Sequence, residues 1–237
     1  MKIAIIGYGK MGKEIARIAE SRGHELALII DLDNSGDLNK VNLREIEVAI
    51  EFSSPTSAKE NIITCINNST PVVSGTTGWL DSWDEVIQLC AEHKSSMFYA
   101  SNYSVGVNIL FAINTKLASI MNSFPQYDVS MKEVHHIHKL DAPSGTAISL
   151  AEQISQQLQR KNNWTLETGG SEQISIEAKR EGEVNGFHSV TYESDFDSIT
   201  IAHDAKSREG FATGAVLAAE FIAGKTGVFG MKDMLNF

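Results

Sequence analysis

Apolar positions in the first hundred residues fall into short continuous runs separated by stretches with helical spacing. Ile3–Ile6, Leu26–Ile30, Val48–Phe52, Pro71–Ser74 and Met97–Tyr99 have strand length, and a run without polar alternation suits a strand buried on both faces. Between them, Met11, Ile15, Ile18 and Ala19 recur on one helical face, with Gly23 as a stop. Pro55 opens a helix to about Ile66, and Asp84–His93 fits another. Such alternation predicts parallel βαβ units with right-handed crossovers. The pattern changes after about Asn102. Val107–Met121 reads as one long helix, and Ile148, Leu150, Ala151, Ile154 and Leu158 as an amphipathic one. Val129/Met131, Ile174/Ile176/Ala178, Val190/Tyr192 and Ile199/Ile201 alternate with polar neighbours, with turns expected at Asn185-Gly186 and Asp197-Ser198. Period two predicts a second, mainly antiparallel sheet. Loops are expected at Asn162-Asn163 and Gly169-Gly170-Ser171, and Phe211–Ala223 is a closing helix that returns to the first part of the chain.

Gly7-Tyr8-Gly9-Lys10-Met11-Gly12 is a G-x-G-x-x-G run between the first expected strand and the first expected helix. Asp31 ends the second strand about 20 residues on, where the dinucleotide fingerprint places an acid for the adenosine ribose. The glycines permit a tight turn and close approach of a pyrophosphate to the helix N-terminus, which favours negative charge. A structural glycine turn followed by an incidental acid is the bland alternative, and the full strand–turn–helix context weighs against it. Leu32 and Asp33 follow Asp31 where an arginine would accommodate a 2′-phosphate, and Lys10 is the one cation nearby in sequence. The cofactor expected is therefore NADH, or NADH and NADPH alike. Gly75-Thr76-Thr77 and Ala100-Ser101-Asn102-Tyr103 sit at the carboxyl ends of expected strands, where open α/β sheets bind ligands. Taken alone, either would be a simple turn.

The segment Glu133-Val134-His135-His136-Ile137-His138-Lys139-Leu140-Asp141-Ala142-Pro143-Ser144-Gly145-Thr146-Ala147 gathers imidazoles and an ammonium ahead of a helix start. Imidazoles carry protons near neutral pH, Lys139 is a point charge, and the amides after Pro143 favour an anion. A small anionic substrate that also receives protons suits this set. Hydride addition to an unsaturated substrate must be completed by a proton. His135 is the residue type for that step, with Lys139 able to balance charge or to deliver the proton itself. A metal site is the rival reading, weakened by the lack of a nearby cysteine and of H-E-x-x-H spacing. Glu133 and Asp141 could merely orient a histidine or cap the helix, and Ser144-Gly145-Thr146 could be only a cap. His138 faces away from the other two histidines if the segment is extended.

This segment closely resembles the signature of the 4-hydroxy-tetrahydrodipicolinate reductase (dihydrodipicolinate reductase) family. The resemblance extends to the glycine fingerprint, Gly75-Thr76-Thr77-Gly78, Ala100–Tyr103 and the stretch from Ala205-Lys206-Ser207-Arg208 through Ala215. It implies a Rossmann-like dinucleotide-binding domain over 1–104, completed by 208–237. A substrate-binding and oligomerisation α+β domain follows over 105–207. It implies His135 and Lys139 as the acid/base pair, and His136, Ser144, Gly145 and Thr146 on the carboxylates of a small dicarboxylate substrate. Gly7–Gly12, Asp31, Gly75–Thr77 and Ala100–Tyr103 would hold NAD(P)H. The reaction implied is reduction of 4-hydroxy-tetrahydrodipicolinate to tetrahydrodipicolinate in lysine and diaminopimelate synthesis, by a homotetramer. The alternatives are a related NAD(P)-dependent dehydrogenase of amino or imino acids and a non-catalytic dinucleotide sensor.

Composition narrows this further. With 42% hydrophobic and 21% charged residues over 237 positions, the chain reads as an ordinary globular protein. A net charge of −10 argues against nucleic-acid binding and requires the His/Lys segment to be locally positive if it takes a dianion. Cys65 and Cys90 form no C-x-x-C, so reduced, buried thiols are expected. With no signal-peptide pattern and no apolar run long enough to span a bilayer, the expected location is the cytoplasm.

Overall fold

In the computed structural model, which describes all residues Met1–Phe237, the apolar runs become strands and the helical spacings become helices. In chain order these are β1 (Lys2–Ile6), α1 (Lys10–Ser21), β2 (Glu25–Ile30), α2 (Lys40–Leu43), β3 (Val48–Glu51), α3 (Pro55–Asn67), β4 (Val72–Ser74), α4 (Trp83–Glu92) and β5 (Ser96–Tyr99). Then come α5 (Val105–Met121), β6 (Asp128–His135), α6 (Gly145–Gln157), β7 (Asn163–Thr165), β8 (Gln173–Arg180), β9 (Phe187–Glu193) and β10 (Ser198–Asp204). The chain closes with α7 (Glu209–Ile222), β11 (Gly227–Phe229) and α8 (Met231–Leu235). Two compact units result, one of Met1–Val105 with Glu209–Phe237 and one of Gly106–Arg208. No helix is long and apolar enough to cross a membrane.

The first unit is built on a six-stranded sheet in the order β11-β5-β4-β3-β1-β2, with every pairing parallel. Alternate side chains enter opposite layers, as strand pleating requires. Ile3 and Ile5 of β1 pack with α1 and α7, whereas Ala4 and Ile6 pack with α3 and α4. Small residues let α7 come close: a Cβ on Gly214 would lie 1.8 Å from the Tyr103 carbonyl oxygen. Burial on both faces explains why these strands read as unbroken apolar runs.

The second unit holds a five-stranded sheet, β10-β9-β6-β8-β7. Here the expectation of a mainly antiparallel sheet is refined to a mixed one. β10–β9 and β9–β6 are antiparallel, but β6–β8 and β8–β7 are parallel. Period two reports one buried face and is blind to strand direction. The connection through α6 is what returns β8 parallel to β6. Asn163, expected in a loop, begins edge strand β7. One sheet face carries Val129, Met131, Ile174, Ile176, Val190 and Tyr192 against Leu110, Ala118 and Met121 of α5 and Leu150, Ala151 and Ile154 of α6.

Candidate active site

The chain leaves β1 outward to β2 and returns to β3 on the other side of β1. That makes the carboxyl edge of β1 and β3 the switch point where such sheets bind ligands. Each fingerprint glycine has its own physical reason. Gly7 takes φ +89, and a Cβ there would lie 2.2 Å from the Phe52 carbonyl oxygen. At Gly12 a Cβ would lie 2.0 Å from the Gly7 carbonyl oxygen, so this glycine lets α1 pack onto the turn. A Cβ on Gly9 meets nothing within 4 Å: it would point into the cradle a pyrophosphate needs. A cavity of about 390 Å³ runs from Gly9, Lys10 and Met11 past Phe52, Ser53 and Pro55 to Gly75, Thr76 and Thr77. The residues present therefore fit a dinucleotide, with the amides at the start of α1 facing its negative charge.

The remaining expected cofactor residues lie outside this lining. Tyr8 is half-buried beside Lys13, whose Nζ is 5.8 Å from its ring centroid. Asp31 is exposed at the end of β2, where its carboxylate accepts the Leu32 N–H at 3.0 Å. Ala100, Ser101 and Asn102 follow β5, and Asn102 Oδ1 accepts the Ser104 N–H at 2.9 Å. Tyr103, also expected among the cofactor residues, turns its side chain into the core. Its side chain is 2% exposed, its hydroxyl donates to the Ser74 carbonyl at 2.7 Å, and its ring packs on Phe52 and Phe98. The core takes up this side chain, so it shapes the loops from behind.

Sequence reading passed over the residues beneath this cavity. Glu51 ends β3 fully buried, its carboxylate accepting from Ser53 N at 3.0 Å, Ser74 Oγ at 2.8 Å and Thr76 Oγ1 at 2.9 Å. An acid closing an otherwise apolar buried strand was the available signal.

In the second unit the buried column of β6 changes character along its length. Val129 and Met131 are followed on the same face by Glu133 and His135, both buried. Cross-strand register sets His188 of β9 opposite Glu133 and Arg180 of β8 beside His135. His135 Nδ1 lies 3.3 Å from Glu133 Oε2, though off the line of a good hydrogen bond. Arg180 donates to Glu133 Oε1 at 3.1 Å, and the Ser144 N–H lies 3.1 and 3.2 Å from the two carboxylate oxygens. Burial alone would raise the Glu133 carboxyl, but the adjacent His135 imidazole and the hydrogen bonds from Ser144 and Arg180 prevail and hold it down at about 2. His188 goes the other way: burial and the nearby His135 hold it down at about 4, so it is neutral at neutral pH. Its Nε2 is 3.0 Å from Ser144 Oγ. His188 was missed in the sequence, although it extends the buried column of Val190 and Tyr192.

The histidine segment leaves β6 as a loop that Arg180 clamps through the carbonyl oxygens of Lys139 and Asp141. Lys139 Nζ contacts both Asp141 oxygens at 2.8 and 2.9 Å, and that ammonium holds the exposed Asp141 below its ordinary range. His136 is half-buried, whereas His138 is exposed and meets Glu183 at 3.3 Å. Ser144 is the N-cap of α6, accepting the Ala147 N–H at 3.3 Å. Gly145 stands exposed with nothing near its Cβ position, and Thr146 follows in the first turn. Gly186 closes the loop end, at φ +153, with a would-be Cβ only 3.1 Å from His135 Nε2. The structure thus gathers His135, Ser144, Glu133, His188 and Arg180, with half-buried Lys139 and Thr146 and exposed Gly145 on the same loop and helix start. Donor atoms of Glu133, His135 and His188 lie within 4.8 Å of one another, a set a metal ion could take. The Arg180 guanidinium already supplies the positive charge Glu133 needs.

Comparison with known proteins covers the whole chain. Residues 1–103 match the family described as Dihydrodipicolinate reductase, N-terminus, and residues 106–235 match Dihydrodipicolinate reductase, C-terminus. A 4-hydroxy-tetrahydrodipicolinate reductase from Christiangramia forsetii is 49% identical over 236 residues, spanning 100% of this chain and 98% of that protein. Among solved structures, a dipicolinate-bound dihydrodipicolinate reductase from Paenisporosarcina sp. TG-14 superposes with a TM-score of 0.79 at 24% identity, covering 98% of both chains. A probable dehydrogenase from Thermotoga maritima shares the fold, with a TM-score of 0.56 at 11% identity over 99% of this chain and 92% of its own.

Proposed function

The chain belongs to the dihydrodipicolinate reductase family, and from that premise we propose how its residues carry the family's reaction. It is an oxidoreductase that reduces 4-hydroxy-tetrahydrodipicolinate with NAD(P)H, a step of lysine and diaminopimelate synthesis. The bound dinucleotide supplies the hydride. Gly7, Tyr8, Gly9, Lys10, Met11 and Gly12 bind its pyrophosphate, Asp31 its adenosine ribose, and Gly75, Thr76, Thr77 and Ala100–Asn102 its nicotinamide end. The exposed Asp31 carboxylate, with Leu32 and Asp33 beyond it, favours NADH over a cofactor bearing a 2′-phosphate.

The substrate's carboxylates sit at the N-terminus of α6, on Gly145 and Thr146, with His136 and Lys139 adding positive charge. His135 delivers the proton that completes the reduction, and Lys139 balances charge as hydride arrives. The observation that carries this reading is the His135 imidazole held 3.3 Å from a buried, ionised Glu133. That carboxylate lies beside the imidazole from which the proton leaves. Assembly as a homotetramer in the cytoplasm completes the proposal. The sheet face opposite the core carries the Thr191–Thr200 hydroxyl pair and exposed Ser130.

The test is oxidation of NADH by wild type and His135→Gln with the unsaturated substrate. His135→Gln is expected to lower kcat by about 10²–10⁴-fold and to leave the NADH KM near the wild-type value. Equal kcat in the two proteins would remove His135 from proton delivery.

A further inference from the structure

Glu51 is a buried carboxylate without a cation. It forms no ion pair, and its partners are the neutral groups of the loops after β3 and β4. Its oxygens take the Ser53 N–H and face the hydroxyls of Ser53, Ser74 and Thr76, each of which can donate to them. The same groups are joined to one another and to α3: Thr76 Oγ1 lies 2.9 Å from the Ser53 N, and Ser53 Oγ accepts from Asn61 Nδ2 at 3.2 Å. Ser53 and Thr76, which it ties together, line the cavity that begins at Gly9.

Asp31, the ribose acid, lies at the end of β2 on one side of β1, while β3 and β4 lie on the other. A dinucleotide lying across the switch point therefore sets its nicotinamide end over Ser53 and Thr76. Loss of hydride turns a neutral dihydronicotinamide into a cation, the electron pair leaving with the hydrogen. We propose that Glu51 is a positioning residue for hydride donation. It fixes both nicotinamide-side loops, and its charge, one hydroxyl behind the cavity wall, favours the oxidised ring over the reduced one. The proposal rests on reading this cavity as the dinucleotide site.

Direct binding separates these effects. NADH and NAD⁺ are titrated into wild type, Glu51→Gln and Glu51→Asp, with circular dichroism to verify folding. Glu51→Gln removes the charge at nearly constant shape. The ratio of the NAD⁺ to the NADH dissociation constant is expected to rise about tenfold, the factor for a unit charge several ångströms away in partly screened surroundings. Glu51→Asp keeps the charge but shortens its reach. Here the ratio should stay at the wild-type value while kcat falls, because one carboxylate no longer spans Ser74 and Thr76. A folded Glu51→Gln with an unchanged ratio overturns the charge role, and Glu51→Asp with wild-type kcat overturns the positioning role. Failure of wild type to bind either dinucleotide overturns the cavity reading and the proposal with it.

Discussion

Glu133→Gln keeps the volume of a fully buried side chain and removes its charge. The consequence follows from the acidity of this group. A carboxyl held at about 2 rather than at its ordinary 4.5 is favoured as the anion by about 3 kcal/mol. Removing the anion also leaves Arg180, whose side chain is only 20% exposed, without its charge partner. In a protein of this length about 3 kcal/mol corresponds to a Tm lower by roughly 6 to 12 °C. The pH dependence gives the sharper test. A group with a depressed folded pKa contributes its full stabilisation above the unfolded value and loses it as pH falls toward the folded one. Thermal unfolding of wild type and Glu133→Gln should therefore differ most at neutral pH. The gap should close as pH falls from about 4.5 toward 2. His188, held down at about 4, costs wild type stability as pH falls from 6.5 toward that value; Glu133→Gln lacks the carboxylate that favours its protonation, so the melts are compared in a His188→Gln background, where this histidine contributes to neither protein. A gap that stays constant down to pH ~3, or equal Tm values at pH ~7, would refute the argument that the charge of Glu133 anchors this strand end.

Four further outcomes are expected. Gly9→Ala should fold with wild-type stability and lose NADH affinity in a titration, because its Cβ enters open space in the cradle, whereas Gly12→Ala, with a Cβ 2.0 Å from the Gly7 carbonyl oxygen, should be destabilised outright in a thermal melt. Gly186→Ala forces a side chain into φ +153 and against His135 Nε2; kcat should fall at least tenfold with the NADH KM unchanged, since small displacements of a reacting group are costly. Asp31→Ser removes the carboxylate that a 2′-phosphate would meet, and the ratio of kcat/KM for NADPH to that for NADH should rise about tenfold or more. Prolonged dialysis against a chelator should leave activity intact, Arg180 rather than a metal ion being the charge partner of Glu133; reversible loss restored by zinc would reassign Glu133, His135 and His188 as ligands.

How far the sequence could be read depended on whether a residue's role was local. The parallel sheet was legible because two-sided burial writes itself as unbroken apolar runs, and the three glycines because turn, cradle and helix contact lie within six residues. β7 and β11, each three residues long, were not: β4 is as short but fully buried and shows as Val72-Val73, whereas these two edge strands are partly exposed and carry too little pattern to register. Tyr103 sat in a motif that suggested a ligand contact, but whether an aromatic ring turns into the core depends on Phe52 and Phe98, far apart in the chain. His188 and Arg180 were invisible for the same reason, since their meaning comes from strand register.

That register gives the mixed sheet a functional consequence. Glu133 and His135 occupy the face where Val129 and Met131 had been building a core, and unpaired polar groups there would be costly. The antiparallel neighbour β9 brings His188 opposite Glu133. Only a parallel neighbour brings the carboxyl end of a second strand to the same edge, and β8 does so with Arg180 beside His135. Were β8 antiparallel, its first residues would flank His135, and the guanidinium would lie at the far end of the sheet. The crossover through α6 serves the same end, since it starts at Ser144, whose N–H meets the same carboxylate. One acid at the end of a buried strand thus ties together strand β6, helix start and histidine loop. In the first unit Glu51, ending β3, ties its two loops by the same device with neutral partners alone, the Ser53 N–H and three hydroxyls. Under the proposed roles, the difference in partners matches the charge each site would hold. A site for a dianion gains from Arg180 behind its acid, whereas a site where a ring becomes cationic gains from an acid left without a counter-ion.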